Sequence, residues 1–238
     1  MLNKTRAIVL HHIKYGESSL IVTLYTEKHG RLTCMVSGVR SKKSKFPATL
    51  FQPLSLLETD LYYRENRDLQ RLKEASCSYH YTTIPFNISK STIALFLAEV
   101  MYLTLREEEG NPTLFSFLFH AFQLLDTQEK GVANFHIWFM LHYSRFLGIL
   151  PVVSEVFWGH GISADTEIFY EMPAETYAAL NSLIESPQGP PKSIKLSNHS
   201  RTLLLERLIR HYSLHVDGFS RLKSFAVLQE VFGIQQKA

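Results

Sequence analysis

The feature that most constrains the fold is a change of hydrophobic period near residue 80. From Thr5 to Cys77, short runs rich in β-branched and aromatic residues alternate along the chain and are broken by turn residues. Beyond Thr82 the apolar positions recur at helical spacing, as in Ile93, Phe96, Leu97, Val100 and Leu103. Strands first and helices afterwards predict an α+β chain with a β-domain over 1–80 and a helical domain over 81–238.

Five strands are predicted in the first part. They run from Thr5 to His12, Ser19 to Thr26, Arg31 to Gly38, Leu54 to Tyr63 and Leu69 to Ser78, with turns at Tyr15-Gly16-Glu17, at Gly30 and at Glu65-Asn66-Arg67-Asp68. Such a set suits a small five-stranded closed barrel such as the OB-fold, whose loops and open face commonly bind single-stranded nucleic acid. In the second part, Ser89 is the expected cap of the first helix, and Asn111-Pro112 starts the next. A third is predicted over Ala133 to Leu147, ended by Gly148 and Pro151, and further helices over Ala174 to Glu185, His199 to Leu214 and Leu222 to Phe232. The segment Val152 to Pro173 loses periodicity and reads as an irregular insertion, and Pro187 to Pro191 as a linker.

Charge follows the same division. The whole chain of 238 residues carries a formal net charge of +3, but residues 1–80 hold 13 Lys/Arg against 7 Asp/Glu, and the remainder holds 12 against 15. Positive charge gathered in one module suggests a polyanionic partner for that module. Cys34 and Cys77 are too few for a disulfide framework, and no secretory leader opens the chain, so a reducing cytoplasmic setting is expected. The apolar runs are interrupted well short of a bilayer span, as by Glu99, so no membrane association is expected.

The sharpest local feature is the loop Gly38-Val39-Arg40-Ser41-Lys42-Lys43-Ser44-Lys45-Phe46. Its cations suit phosphate contact, and Phe46, Phe51, Tyr62 and Tyr63 offer surfaces for base stacking. A merely solvated loop is the competing reading. A second basic set, Arg64, Arg67, Arg71 and Lys73, lies on the last hairpin and is partly offset by Glu65, Asp68 and Glu74. Eleven histidines invite a metal hypothesis, with His136 and His142 on one helix and His211 and His215 on another. No Cys or carboxylate completes a recognisable zinc motif around them, so packed or surface histidines are expected. No G-x-S-x-G elbow or P-loop occurs, and neither Cys lies in an active-site signature, so no enzyme is expected. The run Glu107-Glu108-Glu109 reads as a solvated loop. Phe115, Phe117, Phe119, Phe122, Phe135, Trp138 and Phe139 read as core, with a peptide-binding groove between helices as the alternative.

Ala7-Ile8-Val9-Leu10, Tyr15-Gly16-Glu17, Ile21 to Glu27, Gly30, the Gly38 to Lys45 loop and Gln52-Pro53, in that order, carry a likeness: the chain resembles the RecO family of bacterial recombination mediators. Near the C-terminus the likeness rests on Arg210, Tyr212, Leu222-Lys223-Ser224 and Val227-Leu228, with Leu147-Gly148 resembling the end of the family's central helix. The resemblance implies an N-terminal OB-fold, a C-terminal helical domain and a non-enzymatic role in recombinational repair in the bacterial cytoplasm, at the nucleoid. It implies binding of single- and double-stranded DNA and annealing of strands coated with single-strand-binding protein. It further implies loading of RecA with RecR as partner, and capture of the C-terminal tail of single-strand-binding protein by the helical domain. DNA contact is carried onto Arg40, Lys42, Lys43 and Lys45, with Arg64, Arg67 and Arg71 in support. Many relatives hold zinc in a four-Cys knuckle after the central helix. The corresponding stretch, Val152 to Pro173, has no Cys, so no cofactor is expected, and Trp158, Phe169 and Tyr170 are expected to pack in its place. Two other readings stay open, a protein adaptor whose barrel binds a protein, and an RNA-binding regulator on the same barrel.

Overall fold

The protein is described by a computed structural model over residues 2–39, 46–151 and 174–232. The expected α+β order is present: five strands precede six helices among the described residues. The strands are β1 (Leu2–Tyr15), β2 (Ser19–Thr26), β3 (Gly30–Val36), β4 (Leu56–Tyr62) and β5 (Leu69–Tyr79). They close a barrel in the order β1-β2-β3-β5-β4, with β4 returning to β1. All neighbours are antiparallel except β3 and β5, which pair in parallel through Thr33 and Leu69. This is the connectivity of an OB-like barrel.

β1 is longer than the predicted Thr5 to His12 because it serves two neighbours. Its first half pairs with β4, from Leu2 opposite Tyr62 to Ile8 opposite Leu56, and its second half follows β2. The register shifts between Val9 and His11. Ala7 and Val9 point into the barrel core with Val22, Leu24, Cys34 and Leu57. Two predicted strand ends move for backbone reasons. Leu54 has φ +68°, in the left-handed region, so β4 starts later at Leu56; Gly38, with φ +72°, turns the chain after β3. Cys34 is fully buried and its thiol is pushed up to about 12, which makes it an inert core residue.

The helices are α1 (Ile88–Thr104), α2 (Pro112–Thr127), α3 (Phe135–Phe146), α4 (Ala174–Ile184), α5 (Asn198–His215) and α6 (Ser224–Val231). The expected Asn111 cap is present, since Asn111 Oδ1 accepts from the Leu114 N–H at 3.0 Å. Ser89 is not a cap, because α1 already starts at Ile88. The start of the predicted third helix is a 3-10 turn over Val132–Asn134 after left-handed Gly131. Left-handed Gly148 ends α3, as expected, with Ile149 N–H donating to Ser144 O at 3.0 Å. The insertion Val152 to Pro173, with Trp158, Phe169 and Tyr170, lies outside the described residues.

The contacts divide the chain into two compact units. One joins Met1–Asn87 with Ala94–Asp126, and the other joins Ile88–Ile93 with Thr127–Ala238. The first unit therefore includes most of the α1–α2 hairpin as well as the barrel. Tyr25 of β2 stacks on Phe115 of α2 at 6.3 Å, and Arg31 N–H donates to Glu107 O at 2.8 Å. The two segments meet at Gly30 and Gly110. A Cβ on Gly30 would lie 2.5 Å from the carbonyl oxygens of Glu107 and Glu109, so only glycine permits the approach. The acidic run is thus held to the barrel through its backbone.

In the second unit α3 is the central element, buried along almost its whole length. Trp138 Nε1 donates to Ser186 O at 2.7 Å, and the Tyr212 hydroxyl donates to Met140 O at 2.7 Å. Phe135, Trp138 and Phe139 are core side chains here; Phe115, Phe119 and Phe122 are core in the first unit.

Candidate nucleic-acid interface

The β4–β5 turn runs from Tyr63 to Asp68 and is organised by one buried amide. Gln70 Nε2 donates to Arg64 O at 2.8 Å and to Arg67 O at 2.5 Å, while its Oε1 accepts from Arg64 N–H at 3.0 Å. Gln70 is 3% exposed, so its bonds are shielded from water and hold the turn firmly. Arg64 and Arg67 project from this turn, and Arg71 follows on β5; all three are exposed. None of the three side chains makes a hydrogen bond or ion pair with another described residue.

The other described arginines of the barrel, Arg6 and Arg31, are committed to the fold. Arg6 forms a bidentate pair with Glu27, at 2.9 Å from Nε and 2.6 Å from the terminal nitrogen, and lies 5.3 Å and 5.0 Å from the ring centres of Phe115 and Phe119. The hydrogen bond to Arg6 is the main cause that holds the Glu27 carboxyl below its ordinary range. Arg31 donates to the carbonyls of Tyr102 and Leu105 at 2.8 Å and 2.6 Å, at the end of α1, and covers the Tyr102 ring.

The aromatic candidates separate in the same way. Phe46 and Phe51 pack edge to face at 6.0 Å inside the barrel core, 6% and 0% exposed, so they cannot stack on a base. That corrects the sequence expectation; their burial follows from barrel closure. Tyr62 is 45% exposed and sits opposite Arg71 across the β4–β5 pair. Tyr63 is half-buried and stacks on His29 of the β2–β3 turn, with ring centres 3.9 Å apart and planes at 19°. His29 carries no signal in the sequence that marks it as part of a site. Its role depends on a contact between turns far apart in the chain, and no local pattern encodes it.

Two concavities flank the β4–β5 turn. One, of about 640 Å3, is walled by Asn3, His29, Tyr63, Arg64 and Arg67; the other, of about 360 Å3, lies on the side of Arg31, Gln70 and Arg106. Arg40, Lys42, Lys43 and Lys45 lie outside the described residues. The described residues at either end of that loop, Val39 and Phe46, are both buried in the barrel core.

Three of the histidines singled out by the sequence, His136, His142 and His211, are held by the fold. His136 is 1% exposed and burial, aided by the charge of Arg201, pushes it down to about 3, so it packs as a neutral ring. His142 bonds to Leu183 O at 2.9 Å and His211 to Ile149 O at 2.6 Å. Among the described residues, no three His, Cys, Asp or Glu side chains gather as a metal site. The described cysteines do not fit a zinc knuckle either: Cys34 is core, and Cys77 on β5 donates to Tyr79 O at 3.1 Å. No helix among the described residues is long and apolar enough to cross a membrane.

The family model described as Recombination protein O N terminal matches residues 1–81, and Recombination protein O C terminal matches residues 85–224. The chain belongs to the RecO family. Its relatives include the DNA repair protein RecO of Phocaeicola vulgatus, 37% identical over 240 residues that cover 98% of this chain and 100% of the relative. The DNA repair protein RecO of Bacteroides fragilis is 36% identical over 249 residues, with 98% and 100% covered. That of Christiangramia forsetii is 37% identical over 243 residues, with the same coverage. The N-terminal RecO match spans the barrel, and the C-terminal one begins just before α1 and reaches the start of α6.

Proposed function

We propose that this protein binds single- and double-stranded DNA through its barrel and anneals complementary strands coated with single-strand-binding protein. In this reading it works with RecR to help load RecA during recombinational repair in the bacterial cytoplasm, at the nucleoid. No bond is made or broken. Binding neutralises phosphates and releases their counterions, so the free energy is largely electrostatic and falls as salt rises. The observation that carries the reading is the set of Arg64, Arg67 and Arg71, exposed and free of any described partner beside the exposed ring of Tyr62. Arg40, Lys42, Lys43 and Lys45, which lie in the sequence between Val39 and Phe46 of the barrel, are assigned to the same DNA path. The helical part is assigned the acidic tail of single-strand-binding protein, without named residues.

No cofactor enters this reading. Cys34 and Cys77 are the only cysteines in the chain, and both belong to the barrel strands, so none is left for a zinc knuckle. Stoichiometric zinc in the purified protein, measured by elemental analysis, contradicts that statement.

Annealing of complementary oligonucleotides precoated with single-strand-binding protein tests the function. The wild type accelerates annealing, and Arg40→Ala/Lys42→Ala/Lys43→Ala slows it. Equal rates with and without wild-type protein favour the adaptor reading.

A further inference from the structure

The cleft of about 640 Å3 at the end of the barrel has the chemistry of a ligand site. Its volume lies in the range of small-molecule sites. His29 and Tyr63, whose rings stack on each other, both line the cleft. Tyr63 is steadied from below by the barrel core, and His29 rides on a turn pinned by bonds from the Lys28 N–H to Thr5 Oγ1 and from the His29 N–H to Thr26 Oγ1. Both rings are therefore set before any ligand arrives. The rim carries Arg64 and Arg67 against the single carboxylate of Glu65, so an anionic ligand is favoured. Asn3 supplies an amide with both donor and acceptor. Burial, then the charge of Lys28, lowers the pKa of His29, so near neutral pH it is an uncharged stacking partner and does not repel the arginines.

We propose that this cleft receives one nucleotide unit, its base against the His29–Tyr63 stack and its phosphate on Arg64 and Arg67. The proposal deepens, and rests on, the reading of the barrel as a DNA interface. It adds a subsite that takes a base only when that base is unstacked, which separates single strands and strand ends from intact duplex. A free nucleotide carries the same chemistry, so the two sources are tested in parallel.

The first arm uses a 20-residue oligonucleotide with one 2-aminopurine, moved along the strand, and the full-length protein. Binding of the wild type quenches the probe at one position, as stacking does. Because Tyr63 is half-buried and its replacement can perturb the barrel, His29→Ala is measured beside Tyr63→Leu. Both variants lose most of the quench, and affinity by anisotropy drops roughly ten-fold, the range of a single base stack. If the variants still bind the oligonucleotide with the wild-type quench, the cleft is not the subsite, although DNA binding stands. If the wild type binds the oligonucleotide with no quench at any position, the strand form of the proposal is overturned.

The second arm follows 2′-deoxyadenosine 5′-monophosphate by saturation-transfer NMR. Saturation of the adenine protons by the wild type, lost in His29→Ala, identifies a site that accepts the free nucleotide. If the wild type binds no oligonucleotide, the DNA reading fails, and this arm alone decides the cleft. Absence of both the quench and the saturation overturns the subsite.

Discussion

Arg6 and Arg31 differ from Arg64, Arg67 and Arg71 in what their guanidinium groups touch, although all five belong to one barrel. The first two meet a carboxylate, helix-end carbonyls and aromatic rings, and they join the strands to the α1–α2 hairpin. The other three stand exposed on and beside a turn whose rigidity comes from Gln70, an uncharged residue. A surplus of positive charge in a sequence therefore mixes two populations. Only the second is available to a polyanion, and the geometry of each side chain, not the count, separates them.

The division can be broken by substitution. The largest effect is expected at an acidic residue of the first unit, Asp126, which is fully buried there. Its carboxylate accepts from the N–H groups of Thr82, Thr83 and Ile84 at 2.8 to 3.1 Å. Asp126→Ala strands those donors and lowers stability by about 4 kcal/mol, read by urea unfolding with circular dichroism. Burial pushes this carboxyl up, but the three backbone donors and the Thr82 hydroxyl outweigh it and hold it at about 2, below its ordinary 3.8. A depressed pKa stabilises the fold above about pH 4 and withdraws that stability as pH falls toward 2. Asp126→Asn flattens this acid limb; an unchanged limb shows that the carboxylate is not its source.

Arg31→Ala comes next, with a loss of about 3 kcal/mol, because two helix-end carbonyls lose a charged donor. Arg6→Ala costs less, about 1 kcal/mol, since its pair with Glu27 is about one-third exposed at 34% and 28%. Its signature is in acid. The Glu27 pKa is depressed, so wild-type stability is reduced as pH falls below about 4.5, and Arg6→Ala loses this part of the dependence. The smallest stability change belongs to Arg64→Gln/Arg67→Gln/Arg71→Gln, within about 0.5 kcal/mol of wild type. A loss there as large as that of Arg31→Ala removes the distinction between the two groups.

Much of this architecture was legible in the sequence because it is local. Alternation in Ser19 to Thr26 located β2 to the residue, and Asn111-Pro112 located the start of α2. Features set by distant partners were not legible. β1 extends back to Leu2 because β4 supplies the ladder, and Leu54 leaves its predicted strand because its backbone turns left-handed. In the candidate site, the basic turn at Arg64 and Arg67 could be read from composition. That Phe46 and Phe51 are core, and that His29 lies on Tyr63, follows only from closing the barrel. Gln70 gave no sign at all, since a single buried glutamine in a strand has no pattern.

The proposed DNA contact requires the exposed guanidinium groups of this rigid turn to meet phosphate. Its most direct test is the salt dependence of single-stranded DNA binding, by anisotropy, for wild type and Arg64→Gln/Arg67→Gln/Arg71→Gln. Each phosphate contact on a single strand contributes about 0.7 to the slope of log K against log salt concentration, so loss of three contacts lowers that slope by about 2. Affinity at low salt falls with it, while the melting profile is retained. The same slope and the same affinity in the triple variant, with the fold intact, contradict the claim and place the DNA elsewhere on the protein.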